Sequence, residues 1–211
     1  MADVSPRADA SPSVDDAIAD YDRLAGTLAP RYAGSGAAER LVRRHAAILP
    51  KPPGPVLDIG AGSGAHAVAF EAKGYRVVAV EPSAGMRAQA LTLFPDMDAE
   101  WIDDRLPDLA VVRARGERFP FILINAVWMH VPPADRDTAV GAVASLLTPG
   151  GIVSVALRQG PPPADRPMYE VLPDAIAADF RAAGFEELER SDHGGGGGSD
   201  AGFVRLVLRK P

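Results

Sequence analysis

At 211 residues, with 47% hydrophobic residues, a net charge of −6 and no cysteine, the chain is long enough to bury a full core as one domain. The lack of cysteine excludes a disulfide framework, thiol catalysis and cysteine metal sites, and no metal is expected. The acidic balance argues against a nucleic-acid partner, whose affinity comes largely from phosphate neutralisation. No apolar run approaches the roughly 18 residues of a membrane span, so a cytoplasmic protein with no membrane partner is expected.

Residues 1–13 are polar, with scattered Pro, Ser and Asp. Too little apolar surface is present there to offset the entropy of ordering, so a disordered tail is expected, without signal-peptide or anchor character. Residues 14–29 and 35–49 carry amphipathic helical patterns, expected to break at Pro30 and at Gly34 and Gly36, and form an N-terminal helical segment, 14–49. The main domain, 50–211, opens with a proline-rich connector. Strand patterns near 56–59, 76–80, 99–102, 120–124 and 151–157 then alternate with helical patterns near 63–73, 83–94, 133–147 and 172–183. Such alternation means βαβ units and a parallel sheet covered on both faces. Residues 185–190 and 203–209 add two strands, joined by a loop containing glycines 194–198, read as a flexible connector.

Residues 56–64 read Val-Leu-Asp-Ile-Gly-Ala-Gly-Ser-Gly. An apolar strand stops at an acid, Asp58, and glycines follow at 60, 62 and 64 before the next helix. Glycine reaches positive φ and lets a ligand approach the backbone, and a helix start presents free N–H groups there. The following apolar run, 75–80, ends in Glu81, a carboxylate placed to accept from a ribose diol. Gly60, Gly62 and Ala65 also satisfy the dinucleotide pattern G-x-G-x-x-G/A. A pyrophosphate, however, would lie against Asp58, whereas the ammonium and sulfonium of S-adenosylmethionine are cations suited to it.

The string Asp58-Ile59-Gly60-Ala61-Gly62-Ser63-Gly64 closely resembles motif I of class I S-adenosylmethionine-dependent methyltransferases. Glu81-Pro82-Ser83 with Met86 resembles their second motif. Residues 121–130 and Leu147-Thr148-Pro149-Gly150-Gly151 resemble later segments. The resemblance covers about residues 50–160 and implies a Rossmann-like three-layer α/β sandwich, with a mostly parallel seven-stranded sheet and an antiparallel C-terminal strand.

S-adenosylmethionine would then be the cofactor, with S-adenosylhomocysteine as product and a small molecule as acceptor. Asp58, Gly60, Ala61, Gly62 and Gly64 are expected to form its cradle, Asp58 also fixing the loop and helping to hold the ammonium. Glu81 takes the ribose, Met86 offers an apolar surface to the adenine, and Pro82 is a further expected cofactor contact. Asp104, with Asp103 as sharer of the role, is expected to meet the adenine amino group, and Asn125 the methionine end. Residues 125–130, Asn-Ala-Val-Trp-Met-His, depart from the N-P-P-aromatic motif of nucleobase methyltransferases, since Ala126 and Val127 replace both prolines. Trp128 is a candidate wall of the methyl pocket, and His130 the expected only histidine on the catalytic edge, suited to act as a base near neutral pH. Tyr21, on a helix expected to fold over the cofactor as a lid, and Arg158 and Tyr169, beside the loop after residue 157, complete the expected acceptor pocket. Two rivals are a non-catalytic cofactor-binding protein and an NAD(P)-dependent reductase. No tyrosine of the chain has the lysine four residues later that a short-chain reductase offers.

Overall fold

In the computed structural model, residues 13–163, 165, 166, 168–193 and 202–211 are described. Of the tail expected over 1–13, residues 1–12 lie outside them, as do the glycines 194–198, whereas Ser13 caps the first helix, its side chain accepting from the Asp16 N–H. Two helices come first, α1 (Val14–Ala33) and α2 (Ala37–His45). The repeating part runs β1 (Pro55–Ile59), α3 (Ala65–Glu71), β2 (Arg76–Val80), α4 (Ala84–Leu93), β3 (Glu100–Ile102), α5 (Ala110–Ala114) and β4 (Phe119–Asn125). It continues as α6 (Arg136–Leu146), β5 (Leu147–Arg158), α7 (Pro173–Ala182), β6 (Glu186–His193) and β7 (Phe203–Arg209).

The strand order is β3-β2-β1-β4-β5-β7-β6. β7 runs antiparallel between β5 and β6, and the other pairings are parallel. The chain reverses its winding between β1 and β4, and such a switch opens a crevice at the strands' carboxyl ends. Alternating side chains build the two flanking layers. Leu57, Ile59, Ile122 and Ile124 share one apolar cluster with α6 and α7 residues. Val56, Phe121 and Leu123 pack instead with Ala38 and Leu41 of α2 and Phe70 of α3.

Two expectations are corrected. α1 continues through Pro30 to Ala33. Proline removes one amide near the end of the helix, and the carbonyl that loses its partner belongs to Gly26, an exposed residue, so the loss costs little. The strand expected from 151 begins already at Leu147, in β5, whose pairing with β4 shifts register between Phe119 and Phe121.

α1 is stitched to α4 rather than left loose. The Asp22 carboxylate accepts from the Ser83 hydroxyl at 2.6 Å and from the Gly85 N–H at 2.8 Å. A Cβ on Gly85 would stand 3.0 Å from the Asp22 carbonyl. Among the described residues no helix is long and apolar enough to cross a membrane.

Candidate active site

The crevice is a cavity of about 710 Å³, within the roughly 300–1,000 Å³ range of cavities that hold small ligands. Its floor is the turn after β1. Gly60 has φ +71°, and its N–H and that of Ala61 donate to the Val80 carbonyl at 2.8 and 2.9 Å. A Cβ on Gly60 would fall 2.3 Å from Val127 Cγ2. The turn is therefore clamped between β2 and the segment after β4.

Glu81 fastens it further. Its carboxylate accepts from the Gly62 N–H at 2.9 Å and from the Ser83 N–H at 2.8 Å. The sequence suggests an exposed acid at a strand tip, whereas Glu81 is buried, and burial raises its pKa against those two hydrogen bonds. Four lone-pair sites on a carboxylate leave room for further donors. Asp58 was expected to fix the loop, yet both its oxygens are buried without a hydrogen-bond partner. Burial, and then Glu81, push its pKa up to about 7. The loop is held by Glu81 instead.

Ala61, Gly62, Pro82 and Met86 line the cavity, and Gly64 lies behind it, with its N–H on the Ala61 carbonyl at 3.0 Å. Asp104 also faces the cavity, but its oxygens accept from the Arg105 and Val112 N–H groups, 2.8 and 2.9 Å away. Asp103 is outside this cavity, exposed and 2.9 Å from Arg87. Of the two acids only Asp104 lines this cavity, and both border a second, smaller one with Pro82.

The N-terminal helices close one side. Tyr21 of α1 brings its hydroxyl within 3.3 Å of His130 Nε2, with the rings edge to face. Arg166 donates to the Tyr32 hydroxyl at 2.9 Å and to that of Tyr21 at 3.4 Å, and its guanidinium lies 5.4 Å from the Tyr21 ring centroid. Because Arg166 can only donate, the Tyr21 oxygen accepts from it, and with the His130 proton on Nδ1 the Tyr21 hydroxyl donates to Nε2. His130 Nδ1 is buried with no partner. Burial, and then the Arg166 charge, lower the His130 pKa to about 4, while burial raises that of Tyr21. Both groups are neutral at pH 7.

Two expected pocket residues lie elsewhere. Trp128 is fully buried, with its ring on Phe180 in the core, because the short 3₁₀ turn at 128–130 sends it inward. Tyr169 is not on the cavity wall, and its N–H donates to the Met129 carbonyl at 2.9 Å. Arg158 does line the cavity, donating to the Gly160 and Pro161 carbonyls at 3.1 and 2.7 Å.

Three cavity residues escaped the sequence reading. His66, in the first turn of α3, makes His130 one of two histidines on this edge. Its place two residues after Gly64 was the available signal. Arg166 sits in a proline-rich stretch with no periodicity to single it out. Arg205 interrupts the apolar run of β7, and a charge there is a readable anomaly. Asn125 lines the cavity beside it, its side-chain oxygen accepting from Arg205 at 3.0 Å.

Burial also lowers the His45 and His66 pKa values to about 4. A histidine depressed from 6.5 contributes stability present above the unfolded value and lost as pH falls toward 4, about 3 kcal/mol for fully buried His45. Asp58, raised to about 7, has the opposite sign and loses stability as pH rises toward 7. The raised carboxyls Asp58, Glu81, Glu71 and Asp179 act against the three rings, so the histidine share is read from a variant. His45→Gln should flatten the fall of the urea midpoint between pH 6.5 and 4.5 relative to the wild type. An identical pH dependence in the two proteins would contradict neutral burial of that ring.

Residues 56–151 match the family model described as a methyltransferase domain. A curated relative, carboxy-S-adenosyl-L-methionine synthase of Shewanella oneidensis, is 28% identical over 152 residues. The match covers 67% of this chain and 58% of the relative, so the chain spans less than two thirds of that protein's length. Among solved structures, the [4+2]-cyclase SpnF aligns with TM-score 0.74 and 18% identity over 96% of this chain and 98% of its own. Burkholderia thailandensis 1,6-didemethyltoxoflavin-N1-methyltransferase, bound to its namesake compound and S-adenosylhomocysteine, aligns with TM-score 0.70 and 20% identity over 98% and 93%. These likenesses establish the fold. The matched segment, 56–151, holds the β1 turn, Glu81 and the end of β4, and it is this part of the chain that is similar to the methyltransferase domain family.

Proposed function

We propose that the protein transfers a methyl group from S-adenosylmethionine to a small molecule held between the β1 turn and the Tyr21–His130–Arg166 cluster. The observation that carries this reading is one cavity joining the Gly60–Gly62 turn and Glu81 to that cluster, covered by α1 and α2. The residues present suit the cofactor. Asp58, expected on the cofactor's ammonium, is a buried carboxylate without a hydrogen-bond partner that does not itself line the cavity, so it would act on a cation there through its charge rather than by contact. Glu81 keeps lone pairs for a ribose diol, Pro82 and Met86 offer an apolar face for the adenine, and Asn125 borders the methionine end. When bound, the cofactor supplies a methyl carbon on a cationic sulfur that departs as a neutral thioether.

The chain's own work is orientation, exclusion of water by α1 and α2, and custody of one proton. An acceptor hydroxyl loses that proton to Tyr21 as Tyr21 passes its own to His130 Nε2. Arg166, beside both, offsets the negative charge developing on the acceptor oxygen. With its pKa near 4, His130 is a weak base, matched to acidic hydroxyls such as phenols and enols.

Calorimetry tests the cofactor half. S-adenosylhomocysteine should bind at micromolar levels, and NADH should not. Glu81→Gln puts an amide NH₂ against the Gly62 or Ser83 N–H and should weaken that binding about ten- to hundred-fold. Binding of NADH without the thioether ligand would overturn the assignment, and cofactor binding without transfer across a broad acceptor panel would favour a non-catalytic binding protein.

A further inference from the structure

Arg205 projects from β7 on the α2 side of the sheet and is only 6% exposed. Its Nη1 donates to the Ser154 hydroxyl and its Nη2 to the Asn125 side-chain oxygen, both at 3.0 Å. His45 extends the chain of bonds, with Nε2 2.9 Å from the Ser154 hydroxyl and Nδ1 2.9 Å from the Leu41 carbonyl. Since Nδ1 donates to that carbonyl, Nε2 accepts from Ser154, whose oxygen accepts from Arg205. Every group in this network is neutral except the guanidinium. Arg205 forms no ion pair with any described residue, and its Nε is buried without an acceptor. Burial, together with the charge of Arg44, lowers its pKa to about 10.

Taking a charge out of water without an opposite charge is costly, and proteins that do so normally supply a partner. No described residue ion-pairs with Arg205, and it faces a cavity whose wall also carries His66, Arg44 and Arg158. Of the acids on that wall, Glu81 and Asp104 already accept from backbone N–H groups, and Asp192 lies on β6. The charge of Glu189 reaches Arg205 and acts against the lowering of its pKa. Two of the five guanidinium N–H groups are used, leaving three as donors, and a carboxylate matches that planar fork.

We propose that the α2-side end of the cavity, centred on Arg205 with His66 and Arg44, binds a carboxylate. Resting on the methyltransferase reading, two carboxylates could arrive there: the amino-acid end of the cofactor, or an acidic group on the acceptor. Asn125 and Ser154 fix the guanidinium in advance, so little ordering entropy is lost on binding.

Arg205→Met separates the sources. Calorimetry would compare S-adenosylhomocysteine with 5′-methylthioadenosine, which shares the nucleoside and thioether but lacks the amino-acid group. If the cofactor supplies the carboxylate, R205M weakens S-adenosylhomocysteine about ten- to hundred-fold and leaves 5′-methylthioadenosine unchanged. If the acceptor supplies it, both nucleosides bind R205M normally, and benzoate binds the S-adenosylhomocysteine-saturated wild type but not R205M. One of these two losses is the expected result. Unchanged binding of all three probes by R205M overturns the proposal. Should R205M fail to fold, R205K, which keeps the charge and loses the fork, is read the same way with a smaller loss. Should the wild type bind neither nucleoside, the methyltransferase reading fails by itself, and benzoate binding to ligand-free wild type and R205M decides the carboxylate site alone.

Discussion

Gly60→Ala should abolish measurable cofactor binding and destabilise the protein by about 2–5 kcal/mol. Two independent costs add. A φ of +71° is left-handed backbone, which charges an L-residue about 1–2 kcal/mol. The new methyl would also stand 2.3 Å from Val127 Cγ2, and forcing apart such a contact costs about 1–3 kcal/mol. Movement of either segment disturbs the cavity directly, because Val127 and Gly60 both line it. A second substitution dissects the effect. Val127→Ala removes the clashing Cγ2, so Gly60→Ala in that background should regain the packing share of stability and keep the backbone share. Calorimetry with S-adenosylhomocysteine and urea unfolding measure the two consequences. Wild-type affinity in Gly60→Ala would show that the cofactor does not sit on this turn.

His130→Ala should lower turnover of a hydroxyl acceptor by about 10²–10⁴-fold while S-adenosylhomocysteine affinity stays nearly constant. The sequence alone suggests a rate rising with pH through about 6.5, the ordinary histidine value. The structure moves that limb. With His130 buried beside Arg166 and its pKa near 4, the neutral form is already complete by pH 6, so its contribution is flat from pH 6 to 8 and falls only toward pH 4. Tyr21→Phe should reduce the same rate without changing the position of the limb, because the phenol relays the proton and does not ionise. A fully retained rate in His130→Ala would end the proton-transfer role and leave cofactor binding untouched. A rate loss explained wholly by weaker cofactor binding would make His130 a packing residue.

Much of this was legible in one dimension because it depends on local chemistry. Apolar runs ending in Asp58 and Glu81, glycines at 60, 62 and 64, and strands alternating with helices dictate a parallel sheet with a binding turn at its carboxyl edge. Those features need no knowledge of distant residues, since periodicity and backbone sterics act within a few positions. The family resemblance added the antiparallel strand at the C-terminus, and β7 takes that place.

What tertiary packing decided is which of the marked side chains face the cavity and what they touch there. Trp128 and His130 are two residues apart, yet a 3₁₀ turn buries the first against Phe180 and delivers the second to Tyr21. Asp58 and Glu81 are equally prominent at their strand ends, but only Glu81 reaches the Gly62 and Ser83 amides. The pairs Tyr21 with His130 and Arg205 with Asn125 join residues 109 and 80 positions apart. No local pattern encodes such contacts, for they follow from strand order and from where α1 comes to rest. The ionisation of these groups was equally hidden: a histidine near 6.5 and one near 4 have the same letter, and burial makes the difference.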